Sequence, residues 1–494
     1  MMKLTGRRSA AGGGIVLIVR FGLGAVLNYA FGVALAWLLT PAEFGTVSVL
    51  QNVQFLCAMI LAAGFPWALA ATIAKGAGSR IVDATYRAAF VGNIALGLVL
   101  ATVFVFVQFT RSVIPDASPV TVACVATMIV ALSMTSALGG GLQGERRFDG
   151  YGAMQISEIL TKVIVSVAFV GLLHQGVGGV ATSFLIGAVL SAAIGVWALH
   201  DKIPGPGRVA LRSTSRRAVS MGTASSAFGV MLTVDVLALS VVGQGRGVTP
   251  ADIALYQAAS VLARAPFFVG DALSNAIFPF VANARSADEV DGWFRAAFRW
   301  VPLALVPLQL VLVVAPGPVL RVLFPAHYGQ AAGVLRILTI GTLGLIVMDM
   351  LLKTLNAREV AAVARWLPIA LIIEMVALVL LVPRWGIAGA ATAFAVATWA
   401  GSVALGRVYA RRFYQRWADA AYAARYLLAL LPLVVLLAVA SVAPALPALV
   451  AIATGLILYG VATLKLRLLR EQDIERGLAV LRRFPPRRGR VVPS

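Results

Sequence analysis

The chain has 494 residues, of which 60% are hydrophobic and 12% charged, and its mean hydropathy is +0.91. A water-soluble protein of this size needs far more charged surface, so the composition excludes that class. The net charge of +21 would suit a nucleic-acid-binding protein, but the basic residues cluster between apolar segments, which is typical of a membrane protein. We therefore expect no nucleic-acid partner.

Apolar segments of about 20 residues recur along the chain, each long enough to cross a hydrocarbon core of about 30 Å. They predict an all-α polytopic membrane protein with about 14 transmembrane helices. The first span is followed at once by another and lacks a clear cleavage site, so we expect a retained anchor. The predicted spans are residues 13–39, 47–73, 90–109, 121–142, 151–173, 179–197, 219–242, 253–281, 298–314, 335–355, 362–382, 388–409, 426–442 and 448–468.

The basic residues favour one side of the membrane. With a cytoplasmic N-terminus, 33 of the 41 Lys and Arg residues lie at inner loops or inner helix ends. This bias predicts a multi-pass protein of the bacterial inner membrane with both termini in the cytoplasm. The basic tail either contacts anionic lipid headgroups or serves only as a topology anchor. The remaining basic residues are Arg111, Arg246, Arg321 and Arg384 in outer loops, and Arg20, Lys162, Arg264 and Arg336 within spans.

Short matches recur along the chain at a nearly constant offset of 208 to 213 residues. One repeat length holds six spans, and an even number predicts parallel repeats related by an axis along the membrane normal. The predicted division is a six-helix lobe (1–200), a cytoplasmic linker (201–217), a second six-helix lobe (218–412), two additional helices (413–470) and a basic cytoplasmic tail (471–494). The matched segments are 40–43 with 249–252, 65–66 with 278–279, 86–90 with 294–298, and 176–184 with 386–394.

Several polar residues fall inside predicted spans, where a charge costs at least about 2.5–3.5 kcal/mol. One interpretation is that arginines present cations to an anionic substrate group in a central cavity. The other is that Arg264 forms a structural ion pair with Asp235 or with Asp271, and that Arg20 reaches the inner interface. The candidate cavity residues are Arg20, Asn28, Lys162, Asp235, Arg264 and Asp271.

Two acid–base pairs have helical spacing. Glu158 precedes Lys162 by four residues, and Asp349 precedes Lys353 by four, so both pairs favour ion pairing within one helix. Lys162 also remains a cavity candidate because it lies near the middle of its span. Glu374 has no local partner and is either a protonatable coupling residue or a neutral residue in the bundle.

Two prolines occupy matching positions in the repeat. Pro66 and Pro279 each remove a helix hydrogen bond, so each is a candidate hinge or a static kink. Neither cysteine falls in a disulfide or zinc pattern, and the three histidines are scattered. We expect no metal and no cofactor.

Four motifs resemble one family. Residues 38–45 resemble the LLGPxEYG turn after the first helix of polysaccharide-export flippases, and residues 254–259 with Phe278-Pro279 resemble their GLYxxA…FP eighth helix. Residues 141–148 look like their turn after helix four, and residues 386–391 look like the start of helix twelve. The chain thus resembles the O-antigen and exopolysaccharide flippase branch of the multidrug/oligosaccharidyl-lipid/polysaccharide exporter superfamily, over nearly its whole length.

The resemblance implies two six-helix lobes that form a V around a central cavity, often with two further helices. It also implies that the substrate is an oligosaccharide on an undecaprenyl pyrophosphate carrier, moved to the outer leaflet by alternating access. Related flippases use cavity arginines for the pyrophosphate, and Arg20 and Arg264 are the matching candidates. The chain departs from that pattern by having few arginines in these helices.

The expected function is therefore a monomeric flippase for O-antigen or exopolysaccharide biosynthesis, with the lipid-linked oligosaccharide and membrane lipids as partners, and not an enzyme. An alternative is a multidrug or metabolite exporter of the same superfamily, coupled to H⁺ or Na⁺ through Asp235 or Glu374. A membrane polysaccharide polymerase or glycosyltransferase is less favoured because the outer loops are short.

Overall fold

The computed structural model describes residue 24 and residues 26–203, 205, 207–282, 286–357, 363–413 and 420–469. The described part is built of helices and turns and contains no strand. Arg20 and the basic tail 471–494 lie outside the described residues.

The described helices follow one another with short connections. They are α1 (Val26–Leu38), α2 (Pro41–Ala63), α3 (Phe65–Ala74), α4 (Ser79–Arg111), α5 (Pro119–Gly144), α6 (Phe148–Gly171), α7 (Gly176–Leu199), α8 (Leu211–Met231), α9 (Val234–Gly243), α10 (Pro250–Ala282), α11 (Ala287–Val314), α12 (Pro316–Leu323), a 3₁₀ turn (Ala326–Ala331), α13 (Ala332–Ala357), α14 (Val363–Phe413), α15 (Ala420–Val442) and α16 (Ala445–Lys465).

Eleven helical segments of the described chain are long and apolar enough to cross a membrane. One of them, within α14, is interrupted by the non-helical Gly386 (φ 53°, ψ −127°). A continuous helix of 51 residues would extend about 75 Å, far beyond a core of about 30 Å, so α14 supplies two crossings. Where its residues are described, each predicted span corresponds to a helix, to two helices divided by a break or to one segment of α14. Residues 13–23 of the first span lie outside the described residues. The predicted all-α polytopic fold is confirmed.

Two spans predicted as continuous helices are broken in the structure. Predicted span 47–73 divides at Gly64, between α2 and α3, and Pro66 follows in the first turn of α3, where its missing N–H costs little. Predicted span 219–242 divides at Thr233, between α8 and α9. By contrast, α10 continues as a helix through Pro279. The hinge role of the two prolines stays a prediction.

The sequence repeat recurs as local structure. The Thr40 amide donates to Glu43 Oε2 at 3.0 Å, and the Glu43 amide donates to Thr40 Oγ1, so the pair caps α2. Thr249 and Asp252 cap α10 with the same two hydrogen bonds. Two matched segments therefore fold alike, and the division into two lobes stays a prediction.

Matched glycines also begin matched helices. Gly176 at the start of α7 and Gly386 inside α14 have φ values of +52° and +53°. This left-handed conformation favours glycine at both positions.

The helix ends at residues 41–45 and 250–254 touch at what the charge pattern predicts to be the outer side. A Cβ atom on Gly45 would lie 1.7 Å from the carbonyl oxygen of Pro250, so α2 and α10 approach backbone to backbone. Beside them, the rings of Phe44 and Tyr328 pack edge to face with centroids 5.9 Å apart. We name this set of four residues the outer contact.

The linker between the repeats is held by Arg87 on α4. Its Nε donates to the Gly205 carbonyl at 2.7 Å, and its Nη1 donates to the Arg208 carbonyl at 3.0 Å. The linker then leads into α8, which packs against α2, α3 and α4 as well as against α14. A helix from the second repeat therefore crosses onto the first.

The last two helices pack against each other and against α11 and α12. Tyr426 donates to the carbonyl of Pro302 at 3.0 Å, and Tyr459 donates to that of Leu303 at 2.9 Å. Pro307 lies inside α11 four residues after Leu303 and has no N–H to donate, which leaves the Leu303 carbonyl free for the hydroxyl of Tyr459. The tyrosine hydroxyls fix α15 and α16 at this point.

Candidate functional site

A buried lysine lies between helices of the first repeat. Lys162 on α6 is 7% exposed, and its Nζ donates to Asn28 Oδ1 on α1 at 2.8 Å. The same Nζ lies 5.1 Å from the ring centroid of Phe184 and 5.4 Å from that of Phe31. The contacts to both rings are cation–π interactions. An ammonium can donate three hydrogen bonds, and within the described residues only the neutral amide of Asn28 accepts one.

The neighbouring acid of α6 has a different partner. Glu158 Oε1 accepts a weak 3.4 Å hydrogen bond from Gln54 Nε2 on α2. Within the described part of the chain, Glu158 and Lys162 form no ion pair within 4.0 Å, although their spacing favours one. Lys162 turns instead toward Asn28 on a different helix, so the cation is not neutralised by direct contact.

A second buried cation lies in the second repeat. Arg264 on α10 donates from Nη2 to Asp235 Oδ2 on α9. Tyr256 donates to the same carboxylate oxygen at 2.6 Å. The Asp235 side chain is fully buried, and the guanidinium carbon of Arg264 lies 5.1 Å from the ring centroid of Phe394. Of the two ion pairs considered for Arg264, the structure contains the one with Asp235.

The break between α8 and α9 makes this arrangement possible. Arg264 Nη1 donates to the carbonyl oxygen of Leu232 at 2.6 Å, and Leu232 is the residue that ends α8. Helix ends leave carbonyl groups without helical partners. One guanidinium therefore binds both the end of α8 and the carboxylate in the first turn of α9.

Glu374 lies beside this pair on α14. Its side chain is fully buried, and within the described residues neither carboxylate oxygen has a hydrogen-bond partner. It is close enough to Asp235 and Arg264 to interact with them electrostatically. An ionised carboxylate without a partner is costly to bury, whereas the protonated form carries no charge. Glu374 is thus suited to carry a proton.

The two clusters are related by the repeat but differ in charge. Phe184 and Phe394 are 210 residues apart and lie in matched segments of the repeat. The cation beside the first ring is Lys162 on α6, and the cation beside the second ring is Arg264 on α10. A comparison at a fixed offset of 210 residues would have found the two rings in the sequence, but not the cations.

Asp271 belongs to a third cluster. Lys353 on α13 donates to Asp349 Oδ2 at 2.8 Å and also to Asp271 Oδ1 on α10. The predicted ion pair between Asp349 and Lys353 is confirmed. Asp271 binds Lys353 and not Arg264. This candidate residue therefore lies in a different cluster from Asp235.

Two further predictions concern Arg20 and metal binding. Arg20 falls outside the described residues, and no role for it follows from the contacts. Within the described chain, no group of three or more His, Cys, Asp or Glu side chains could hold a metal ion.

The family model described as "polysaccharide biosynthesis protein" matches residues 34–333, more than half of the chain. The chain belongs to this family. No curated protein matches the chain closely enough to count as a relative.

Solved structures share the fold at low sequence identity. A lipid II flippase MurJ in an inward closed conformation is 14% identical with a TM-score of 0.72, covering 94% of this chain and 100% of that one. An inward-facing multidrug resistance MATE family transporter of the MOP superfamily is also 14% identical, with a TM-score of 0.61 and coverages of 78% and 94%. A MOP superfamily transporter from Pyrococcus furiosus is 15% identical, with a TM-score of 0.57 and coverages of 84% and 100%.

The family and the fold together confirm the resemblance to the polysaccharide branch of the MOP superfamily. This polysaccharide biosynthesis protein is a multi-pass membrane protein of the flippase and transporter type.

Proposed function

We propose that this protein is a flippase that moves an oligosaccharide, linked to undecaprenyl pyrophosphate, across the bacterial inner membrane. The product would enter O-antigen or exopolysaccharide biosynthesis. In this proposal both termini are cytoplasmic, the protein acts as a monomer, and no covalent chemistry takes place on the substrate. Family membership supports the polysaccharide, and the fold supports translocation.

The observation that carries the proposal is the pair of buried cations, Lys162 and Arg264. Each lies on a phenylalanine ring at the same repeat position, so each half places one cation beside this ring. A pyrophosphate carries several negative charges and needs cations when it leaves water. Lys162 is the first contact, because its hydrogen-bond partner Asn28 is neutral and an anion can replace it.

Arg264 becomes available in a second step. Its charge is balanced by Asp235 in the described state, so an anion must compete with that carboxylate. A proton taken up by Glu374 removes a negative charge beside the guanidinium and weakens the hold of the acids on it. Proton uptake thus favours anion binding at Arg264, which links transport to a proton gradient.

Alternating access requires the outer contact to open. In the described state the ends of α2 and α10 touch, which closes the predicted outer side between the repeats. The sugar and pyrophosphate would cross between the repeats, while the prenyl chain stays in lipid. The lobes would then rock around the buried cations.

The alternative is a proton-coupled exporter of small molecules. The buried carboxylate of Glu374, which has no hydrogen-bond partner in the described part of the chain, favours it, because a coupling residue must bind and release a proton during transport. The same residue serves the flippase as a coupling site, so Glu374 alone does not separate the two functions.

The deciding experiment is deletion of the gene in a strain that has no second flippase of this family. We expect carrier-linked glycans to accumulate in the inner leaflet, measured by their inaccessibility to a periplasmic ligase or to an added glycosidase. If the carrier-linked glycans reach the outer leaflet normally, the flippase proposal is refuted. Unchanged glycans together with a rise in drug susceptibility would support the exporter.

A further inference from the structure

A groove of about 660 Å³ opens along the surface of α14. Trp366, from the first segment of α14, lines one wall, and Trp399, Val403, Arg407 and Arg411 from the second segment line the other. None of these residues belongs to the buried clusters of Lys162, Arg264 or Lys353. The volume is that of a site for a small or medium-sized ligand.

The length of the groove matches one leaflet of a bilayer. Twelve residues separate Trp399 from Arg411, which is about 18 Å along a helix. Half of a hydrocarbon core of about 30 Å is about 15 Å. The predicted topology places Arg411 at the cytoplasmic surface, so the groove extends from the headgroup level to near the bilayer midplane.

The mouth of the groove is positively charged. Arg407 and Arg411 are four residues apart and share one face of the helix. Both are exposed, and within the described residues neither has an acidic partner. Like charges at this spacing repel, so an anion bound between them would relieve the repulsion and accept hydrogen bonds from both.

The interior of the groove is apolar and fixed in shape. The indole N–H of Trp399 donates to the Ile340 carbonyl on α13 at 3.0 Å, which sets the plane of the ring. Trp366 and Trp399 each remain 37% exposed. Two aromatic surfaces and two guanidinium groups in one groove suit a molecule with an anionic head and a hydrocarbon chain.

We propose that this groove binds an anionic phospholipid of the cytoplasmic leaflet. Arg407 and Arg411 hold the phosphate, and one acyl chain lies against Trp366, Trp399 and Val403. The occupant is a membrane lipid and not the transported carrier, because the groove opens on the surface of one repeat and not between the two. The proposal does not rest on the flippase function.

The test uses the full-length protein in phosphatidylcholine vesicles that contain a small share of brominated lipid, which quenches tryptophan fluorescence on contact. We expect brominated phosphatidylglycerol to quench more than brominated phosphatidylcholine does. The excess should disappear in Trp366→Phe/Trp399→Phe, which removes two of the nine tryptophans. It should also disappear in Arg407→Gln/Arg411→Gln.

The matched control is Arg412→Gln/Arg425→Gln, which removes the exposed Arg412 and the half-buried Arg425, neither of which lines the groove, and it should keep the excess. Equal quenching by the two lipids in the unmodified protein would overturn the proposal without any variant. So would an excess that survives the loss of Arg407 and Arg411. An excess removed by unlabelled polyprenyl phosphate but not by unlabelled phosphatidylglycerol would assign the groove to the carrier and also overturn it.

Discussion

Phe184 and Phe394 stand 210 residues apart, and each ring carries a buried cation at 5.1 Å. The cation comes from α6 in the first repeat and from α10 in the second. The aromatic surface is therefore common to both halves, whereas the charged residue has changed helix. Both sites have a cation on the aromatic ring, although a different residue supplies it in each half. We infer from this that the cations are the functional element.

Two variants separate a structural role of Arg264 from a role in transport. They are the single variant Arg264→Gln and the double variant Asp235→Asn/Arg264→Gln. Loss of the guanidinium alone leaves Asp235 buried without its counter-charge, which costs about 3–5 kcal/mol. We expect the single variant to lower the thermal unfolding temperature and membrane abundance, and the double variant to recover both. Export of carrier-linked glycan should be lost in both. Full export by the double variant would make the pair purely structural.

For Lys162, the substitution Lys162→Met keeps the length of the side chain and removes the charge. Asn28 then keeps its own hydrogen bond to the Gly24 carbonyl, so we expect stability to change little. We expect glycan export to fall at least about tenfold, the loss that follows from about 1.4 kcal/mol of substrate binding. The exposed Lys75→Met is the matched control and should export normally. Normal export by Lys162→Met would exclude the lysine from the site.

Glu374→Gln tests the link to a proton gradient. The amide resembles the protonated acid in shape and cannot release a proton, so the coupling step is lost while folding is retained. We expect transport into vesicles to respond to an imposed pH gradient in the unmodified protein and not in the variant. Asp116→Asn, at an exposed turn residue with φ +52°, is the control. A pH response that persists in Glu374→Gln would place coupling elsewhere.

Gly45→Ala tests the outer contact. Its Cβ would fall 1.7 Å from the Pro250 oxygen, so α2 and α10 must separate. We expect a cysteine placed at Gln257 to react faster with an impermeant thiol reagent added from outside. Gly333→Ala, where a Cβ meets nothing within 4 Å, should leave the rate unchanged. Equal rates in the two variants would show that the contact does not control access.

The pair Arg147–Asp201 predicts a pH dependence at the start of α6 and the end of α7, which the charge pattern predicts to be cytoplasmic. Two hydrogen bonds of 2.5 and 2.6 Å from the guanidinium hold the pKa of the Asp201 carboxyl below its ordinary value. Because the pKa of Asp201 is lowered in the folded protein, the ion pair adds stability at pH values above the ordinary pKa of aspartate. That contribution disappears as the pH falls through the lowered pKa. Asp201→Asn should therefore lower the unfolding temperature in detergent at neutral pH. The difference from the unmodified protein should vanish in acid; a constant difference would contradict the assignment.

The sequence allowed prediction of the helical spans and of the pair Asp349–Lys353, because both follow from local periodicity. The partner of Lys162 could not be predicted, because Asn28 lies 134 residues away and packing selects it over the nearby Glu158. The choice of Asp235 over Asp271 by Arg264 depends on the helix break at Thr233. Such breaks depend on contacts with other helices, here the hydrogen bond from Arg264 to the Leu232 carbonyl.

The contact of Gly45 with Pro250 involves backbone atoms and no charged side chain. Dispersion holds such a surface together, and dissolved salt does not screen dispersion as it screens charge. The dispersion contribution of this contact to the energy needed to part α2 from α10 is therefore nearly independent of ionic strength, and the nearby charges that salt can screen are Glu43 and Asp252 in the first turns of the two helices. In the proposed alternating access, the Gly45–Pro250 contact itself would then resist opening equally in dilute and in concentrated surroundings.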